Sequence, residues 1–452
     1  KIKKKLLLKL QYTFPNKDLE TIKKKIYGNK FFYIEKKITP ERYQEIKLLG
    51  EKSIRLEQKI TRIYPDKNLF SHVVGQIDDE NNGISGIEKS FDKKLKEEKE
   101  KLTLTLDKNL QFIIRNELIN AQKIFDNVGG AGILMNINNG EILSLVSLPD
   151  YNLNKRKDIS DANYINRATK GVYELGSVFK SFTIAAGLDD GLISPKDMFL
   201  NLEKKMKCGG RTISEYDENL SNDLSVEDIL TYSSNIGSVK IGQIIGQHKL
   251  KKFLEKIGVL GQLNFDIHEI GKPIPFKWRN CKLKTVSYGH GITTTPIQLA
   301  KGYAILSNGG YEIKPTLIKK KFYDKKKRIL NKNISLEINS MFRKVVEHGT
   351  ASLSDVEGYE VGGKTGTAQI VENGLYTKKK INTFASVFPT SSPKYVLIVL
   401  LEDTKLSKDY IYKYRNKPGS YIGTPFNTAG WTSVEIAGKI IDKIGPILAT
   451  KY

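Results

Sequence analysis

The 452-residue chain has no long apolar run; its longest, Tyr395 to Leu401, falls far short of the roughly 20 residues a helix needs to cross a bilayer. The residues given therefore carry no membrane-spanning helix. Cysteine is nearly absent, with Cys208 and Cys281 alone, which excludes a disulfide framework and a cysteine-held zinc cluster. Only five histidines are present, and no pair among His72, His248, His268, His290 and His348 has metal-ligand spacing. No metal, redox chemistry or cofactor is expected. Acidic residues are also short, 50 against 74 Lys+Arg, for a formal net charge of +24. The basic residues are overwhelmingly Lys and spread along the whole chain, whereas phosphate-reading surfaces favour the forked guanidinium of Arg. Nucleic acid is not the expected partner.

What is present suits a globular protein: 39% hydrophobic, 9% aromatic and 27% charged residues, at a length that suggests two or three domains. Residues 1 to 60 hold 17 basic and 7 acidic side chains, a net of 17 − 7 = +10, a weak compositional pointer to an anionic membrane surface. The chain starts at Lys1 without Met, so a signal or anchor is expected upstream. A charge run, Phe91 to Lys101, marks a domain boundary, dividing 1–100 from 101–452.

Leu102 to Leu106 alternates as a half-buried strand would, and Asp107 offers an N-cap to a helix running to about Phe125. Ala131 to Ile137 and Glu141 to Ser147 flank Asn138-Asn139-Gly140, a strong hairpin signal. Thr383 to Phe388 and Tyr395 to Leu401 predict a second hairpin, and Tyr359 to Ile370 a fifth strand. Between them Val178–Gly187, Val226–Ile245, Leu250–Ile257 and Thr295–Leu306 read as helices, and Ser433–Ile447 as a terminal one. The expected fold class is α+β (mixed α/β), with a five-stranded antiparallel sheet flanked by helices and a smaller amino-terminal module.

Three short motifs carry the chemistry: Ser177-Val178-Phe179-Lys180, Ser233-Ser234-Asn235 and Lys364-Thr365-Gly366. Ser-x-x-Lys recurs at Ser90–Lys93 and Ser391–Lys394, but only at Ser177 does Gly precede it and an apolar helix follow. There the i, i+3 spacing places the Lys180 amine and the Ser177 hydroxyl on one face. A serine becomes a nucleophile when a base takes its proton, and lysine is that base only when neutral. Burial, the helix dipole and a second lysine, Lys364, all favour the neutral form. Ser233 and Asn235 offer a hydroxyl and an amide for proton relay and carbonyl binding. Lys364 and Thr365 offer a cation and a hydroxyl for a carboxylate, and Gly366 lets backbone approach. The three motifs together form a known serine acyltransferase signature.

With His72–Gly75 (HVVG), Gly83–Glu88 (GISGIE), Asn166-Arg167-Ala168, Tyr173–Lys180 (YELGSVFK) and Gly363–Gln369 (GKTGTAQ), the chain resembles the class B penicillin-binding proteins, the peptidoglycan D,D-transpeptidases. Ser287–Ala300 and Thr428–Ile441 look like the septal, FtsI-type enzymes of cell division; the elongation type is the nearest rival. The resemblance implies a pedestal or dimerisation-type module over 1–100 and a transpeptidase domain over 101–452. It implies Ser177 as acylated nucleophile, Lys180 as base, Ser233 with Asn235 as the second-motif pair, and Lys364 as a catalytic cation. Thr365, Gly366, Thr367 and His290 would meet substrate, and the backbone amides of Ser177 and Thr367 would form the oxyanion hole. Leu175 stands where many relatives carry Pro, and His290 where septal relatives often carry an aromatic. His290 is not expected to act as base. Implied partners are peptidoglycan stem peptides, β-lactams, a membrane-embedded glycosyltransferase and division proteins. The implied location is the inner membrane, through an anchor absent from this chain, with the catalytic domain periplasmic. A D,D-carboxypeptidase or β-lactamase and a non-catalytic penicillin-binding scaffold are the alternatives.

Overall fold

Asn138-Asn139-Gly140 closes the first hairpin as predicted, in a computed structural model that describes residues 2–28, 31–35, 38–57, 62–97, 101–155, 161–278, 281–322 and 327–452. Strand β1 (Gly129–Asn136) pairs antiparallel with β2 (Ile142–Leu148), setting Ile133 opposite Leu145. A small hairpin of β3 (Lys205–Cys208) and β4 (Arg211–Ser214) stands apart from the main sheet. Later come β5 (Gly362–Glu372), β6 (Leu375–Phe388) and β7 (Tyr395–Glu402). Together they form a five-stranded antiparallel sheet in the order β2-β1-β7-β6-β5, so the five runs read from sequence do share one sheet. The fifth strand begins at Gly362, later than the Tyr359 expected.

The chain divides into two compact units, residues 1–63 with 77–82, and residues 64–76 with 83–452. The first contains helices α1 (Ile2–Thr13), α2 (Leu19–Tyr27) and α3 (Pro40–Leu48), which bury Leu6, Leu7, Leu10, Phe14, Ile22 and Ile46 against one another. Asp18 caps α2, and Thr39 followed by Pro40 starts α3, a serviceable N-terminus because proline lacks the amide that would go unpaired.

In the second unit Asp107 caps α4 (Lys108–Phe125), accepting from Asn109 N at 2.8 Å and Leu110 N at 3.0 Å. Every residue of β2 is buried, so both faces of the sheet are covered. The helix α4 packs with the terminal helix Ser433–Lys451 on the sheet, and Pro296–Ser307 packs with Lys332–Glu347 on it. The short helices Ser71–Val74 and Gly86–Ser90, which carry the HVVG and GISGIE motifs, also belong to this unit.

Several expectations need correction. Leu102 to Leu106 makes an isolated bridge, Leu104 opposite Ile318, and no strand, because the chain there divides its backbone bonds between two partners, Thr105 N donating to Leu317 O and Asp107 N to Leu143 O. Six residues of the charge run, Asp92–Glu97, are helical, and 98–100 lie outside the described residues. The helix expected over Val226–Ile245 is two: Val226–Thr231, opened by a capping box of Ser225 and Asp228, and Asn235–Ile245, opened by Ser234. Cys208 and Cys281, too few for a framework, form one disulfide across 73 residues. The helix Lys332–Glu347 and the β3–β4 hairpin were not anticipated.

Candidate active site

Gly176 has φ +63, and a methyl there would lie 2.8 Å from Thr367 O, so the backbone before Ser177 sits directly on strand β5. Gly366 is equally constrained, since its added methyl would meet Leu175 O at 2.2 Å. Ser177 follows in a 3-10 turn, Gly176–Phe179, after which Lys180 begins the helix Lys180–Asp189. The expected α-helix from Val178 thus starts two residues later, and among the described residues the Lys180 amine bonds to Ser233 and Asn235 rather than to the Ser177 hydroxyl. Ser177 is half-buried and, among the described residues, its hydroxyl has no hydrogen-bond partner. The amine of Lys180 is fully buried.

Its partners come from the break between the two helices. Ser233 has φ +64, a left-handed conformation that non-glycine residues adopt at a cost of order 1–3 kcal/mol and that clusters at functional sites. Lys180 Nζ donates to Ser233 O at 2.5 Å, Ser233 Oγ at 3.0 Å and Asn235 Oδ1 at 2.8 Å. From β5, Lys364 Nζ donates to the same Ser233 Oγ at 2.9 Å and to Thr365 O at 3.1 Å. Lys364, too, is fully buried. The Thr365 hydroxyl shares a 2.7 Å bond with Thr350 Oγ1, at the end of Lys332–Glu347.

Charge follows from this burial. Loss of water lowers Lys180 to about 7, against a smaller upward pull from the Glu215 carboxylate. Desolvation, with Lys180 nearby, holds Lys364 well below the ordinary lysine value. Two amines at one hydroxyl, with few charges to pair them, are in a state where one can accept a proton near neutral pH.

Thr367, expected at an oxyanion hole, turns its hydroxyl away to Asn382 Oδ1 at 3.0 Å and accepts Ala429 N at 2.9 Å. This leaves the strand backbone facing the turn that carries Ser177. His290 joins a ring stack, 5.0 Å from Tyr376 and 5.9 Å from Tyr288, with its Nδ1 3.6 Å from Glu174 Oε2. It makes no hydrogen bond to Lys180, Ser233 or Lys364 among those described.

The structure thus joins Lys180, Ser233, Asn235, Lys364 and Thr365 through hydrogen bonds, and sets the Ser177 turn against Thr367. Sequence reading missed Glu215, Thr350, Asn382, Glu174 and Tyr376. Glu215 accepts from Ser234 Oγ at 2.6 Å, Asn235 N at 2.7 Å and Ile236 N at 2.9 Å. An acidic residue at a helix N-terminus is a legible signal only when both are on one element, and Glu215 comes from the preceding hairpin.

Two family models match the chain: the penicillin-binding protein transpeptidase domain over residues 130–420, and the penicillin-binding protein dimerisation domain over residues 1–124. The chain is 30% identical to a probable peptidoglycan D,D-transpeptidase FtsI of Caulobacter vibrioides, over 97% of this chain and 74% of that one. It is 26% identical to the peptidoglycan D,D-transpeptidase FtsI of Escherichia coli K12, over 87% and 72%. Penicillin binding protein 3 of Mycobacterium tuberculosis, solved with aztreonam, has the same fold, with a TM-score of 0.73 at 23% identity over 85% of this chain and 90% of that one.

Proposed function

We propose that this chain, which belongs to the penicillin-binding protein family with transpeptidase and dimerisation domains, is a peptidoglycan D,D-transpeptidase that works through a serine acyl-enzyme in septal wall synthesis. One observation carries the reading: two fully buried lysine amines meet at the Ser233 hydroxyl, and one of them, Lys180, directly follows the turn that carries the half-buried Ser177. The septal assignment rests on the FtsI names of the relatives.

In this reading a neutral Lys180 takes the Ser177 proton as Oγ bonds to the carbonyl carbon between the two terminal D-alanines of a stem peptide. The backbone amides of Ser177 and Thr367 hold the developing oxyanion. Ser233, between Lys180 and Lys364, passes the proton to the leaving amine as the C–N bond breaks and D-alanine departs. Lys364 and Thr365 hold the substrate's terminal carboxylate, and His290 lines the approach with Tyr376. An amine from a neighbouring stem then attacks the ester and frees Ser177. A β-lactam would acylate Ser177 and stay, since no group among the described residues is set to activate a deacylating water. Functionally, residues 1–100 are assigned to a pedestal module and 101–452 to the transpeptidase. No described helix is long and apolar enough to cross a membrane. A periplasmic catalytic domain, tethered from outside this chain and working with a glycosyltransferase and division proteins, accords with the Cys208–Cys281 bridge, which needs an oxidising compartment.

The test is exchange on an acyl-D-alanyl-D-lactate depsipeptide, whose scissile bond is an ester and whose terminal carboxylate is free, supplied with a D-amino acid acceptor. The reading predicts an amide product that exceeds hydrolysis and is absent in Ser177→Ala. Hydrolysis alone would make the chain a carboxypeptidase, and no turnover of the ester would leave a scaffold.

A further inference from the structure

Asn235 is gripped at both ends, and only one grip belongs to the site. Its Oδ1 accepts from Lys180, whereas its Nδ2 donates to Ser214 O at 2.8 Å and its backbone N to Glu215 at 2.7 Å. Ser214 ends β4 and Glu215 follows it, so the β3–β4 hairpin holds the first turn of the helix Asn235–Ile245 from outside. Glu215 satisfies three donors there, two of them amides that a helix N-terminus leaves unpaired.

The hairpin is a weak anchor by itself. Its strands are four residues each, its Gly209-Gly210 tip is open, and a methyl on Gly210 would meet nothing within 4 Å. Isolated two-stranded hairpins are marginal. Cys208, beside that tip, is bonded to Cys281, and Cys281 opens the helix Lys282–Ser287. That helix is fixed on two sides. Thr183 Oγ1, on the Lys180 helix, donates to Ser287 O at 2.9 Å. A methyl on Gly242, in the Asn235 helix, would overlap Ser287 Oγ at 1.8 Å.

We infer that the β3–β4 hairpin with Glu215, staked to the helix Lys282–Ser287 by the Cys208–Cys281 disulfide, is a positioning clamp on Asn235 that sets the rate of Ser177 acylation without touching substrate. The inference rests on the acyl-enzyme reading above. Reduction by a dithiol breaks the bridge: two electrons and two protons pass to sulfur, two thiols result, and the dithiol closes to its own disulfide. The hairpin then keeps Asn235 only through its own two short strands. A displacement of about 1 Å at such a group costs up to roughly 10²-fold in rate.

The experiment measures the second-order rate of labelling by a fluorescent penicillin from pH 5 to 9, with melting temperature and final stoichiometry, for the oxidised chain, Cys208→Ser/Cys281→Ser, Glu215→Gln and Glu215→Asp. The serine pair should stay folded, reach full stoichiometry and label about tenfold to a hundredfold more slowly at every pH. Glu215→Gln should slow labelling and also move its pH midpoint down, since the carboxylate that raises Lys180 is gone; Glu215→Asp should restore much of both. A merely structural role would lower the melting temperature and leave the midpoint in place. If the serine pair does not refold, the folded oxidised chain treated with dithiothreitol and capped with iodoacetamide takes its place. Wild-type rates in the folded serine pair or in the reduced, capped chain remove the bridge from the clamp; wild-type rate and midpoint in Glu215→Gln overturn the inference. No labelling of the oxidised chain is a different failure, that of the acyl-enzyme reading itself.

Discussion

Lys180 and Lys364 donate to one and the same hydroxyl, that of Ser233, at 3.0 and 2.9 Å, though 184 residues of sequence separate them (364 − 180). Both amines are wholly out of water; burial outweighs the Glu215 carboxylate at Lys180, and at Lys364 burial acts together with repulsion from Lys180.

The pH dependence of acylation follows. Below about 7 Lys180 is protonated and cannot take the Ser177 proton; above it the amine is neutral and can. The labelling rate should rise through a midpoint near 7 and then level. A profile flat from pH 5 to 9, or one rising only above pH 9, contradicts the assignment of Lys180 as base.

Ser233→Ala removes the hydroxyl that both amines reach and leaves two buried donors each short of a partner. Acylation should slow by about 10²-fold or more, with the initial non-covalent binding of the penicillin little changed. Stopped-flow separation of the two steps checks this; a loss confined to binding would assign Ser233 to substrate holding.

Gly366→Ala puts a methyl 2.2 Å from Leu175 O and must push the Ser177 turn off β5. Overpacking of this kind costs about 1–3 kcal/mol, and disturbing one oxyanion donor costs about 10²-fold in rate. Urea unfolding and labelling kinetics on the same variant should show both. Normal kinetics with lowered stability would detach Thr367 from the oxyanion hole.

His72 makes a separate prediction about folding. Burial lowers its pKa to about 4, against a hydrogen bond to Pro149 O at 2.9 Å and the Asp150 charge, which raise it. Between about 6.5 and 4 the unfolded chain binds the proton that the folded chain refuses, so stability falls as pH drops through that window. The loss is roughly 3 kcal/mol at most, taking 1.36 kcal/mol per pKa unit. His72→Gln should flatten this part of the stability curve; an unchanged slope would show that His72 is not buried neutral.

Legibility divided along a physical line. Four of the five strands could be read because each contains an apolar run bounded by turn residues, and β2 and β7 are buried on both faces, whereas β5, GGKTGTAQIVE, has few apolar residues. Ser177, Lys180, Ser233, Asn235 and Lys364 could be named because motif spacing is local. What could not be read is where the Lys180 amine points. Spacing suggested the Ser177 hydroxyl, whereas the hydrogen bonds go to Ser233 and Asn235, and that choice depends on the left-handed turn at Ser233. The apolar period over Val226–Ile245 continues across that turn, which is why a single helix was expected. Glu215 and the Cys208–Cys281 pair were silent for the same reason: their roles exist only once the hairpin meets a helix that lies elsewhere in sequence.

The most direct measurement is mass spectrometry of the intact chain after penicillin treatment, with peptide mapping and a chase to follow the adduct over time. The account predicts one penicilloyl group, on Ser177, that outlasts many turnovers' worth of time and is missing in Ser177→Ala. An adduct on another residue, or none on the folded chain, would contradict it.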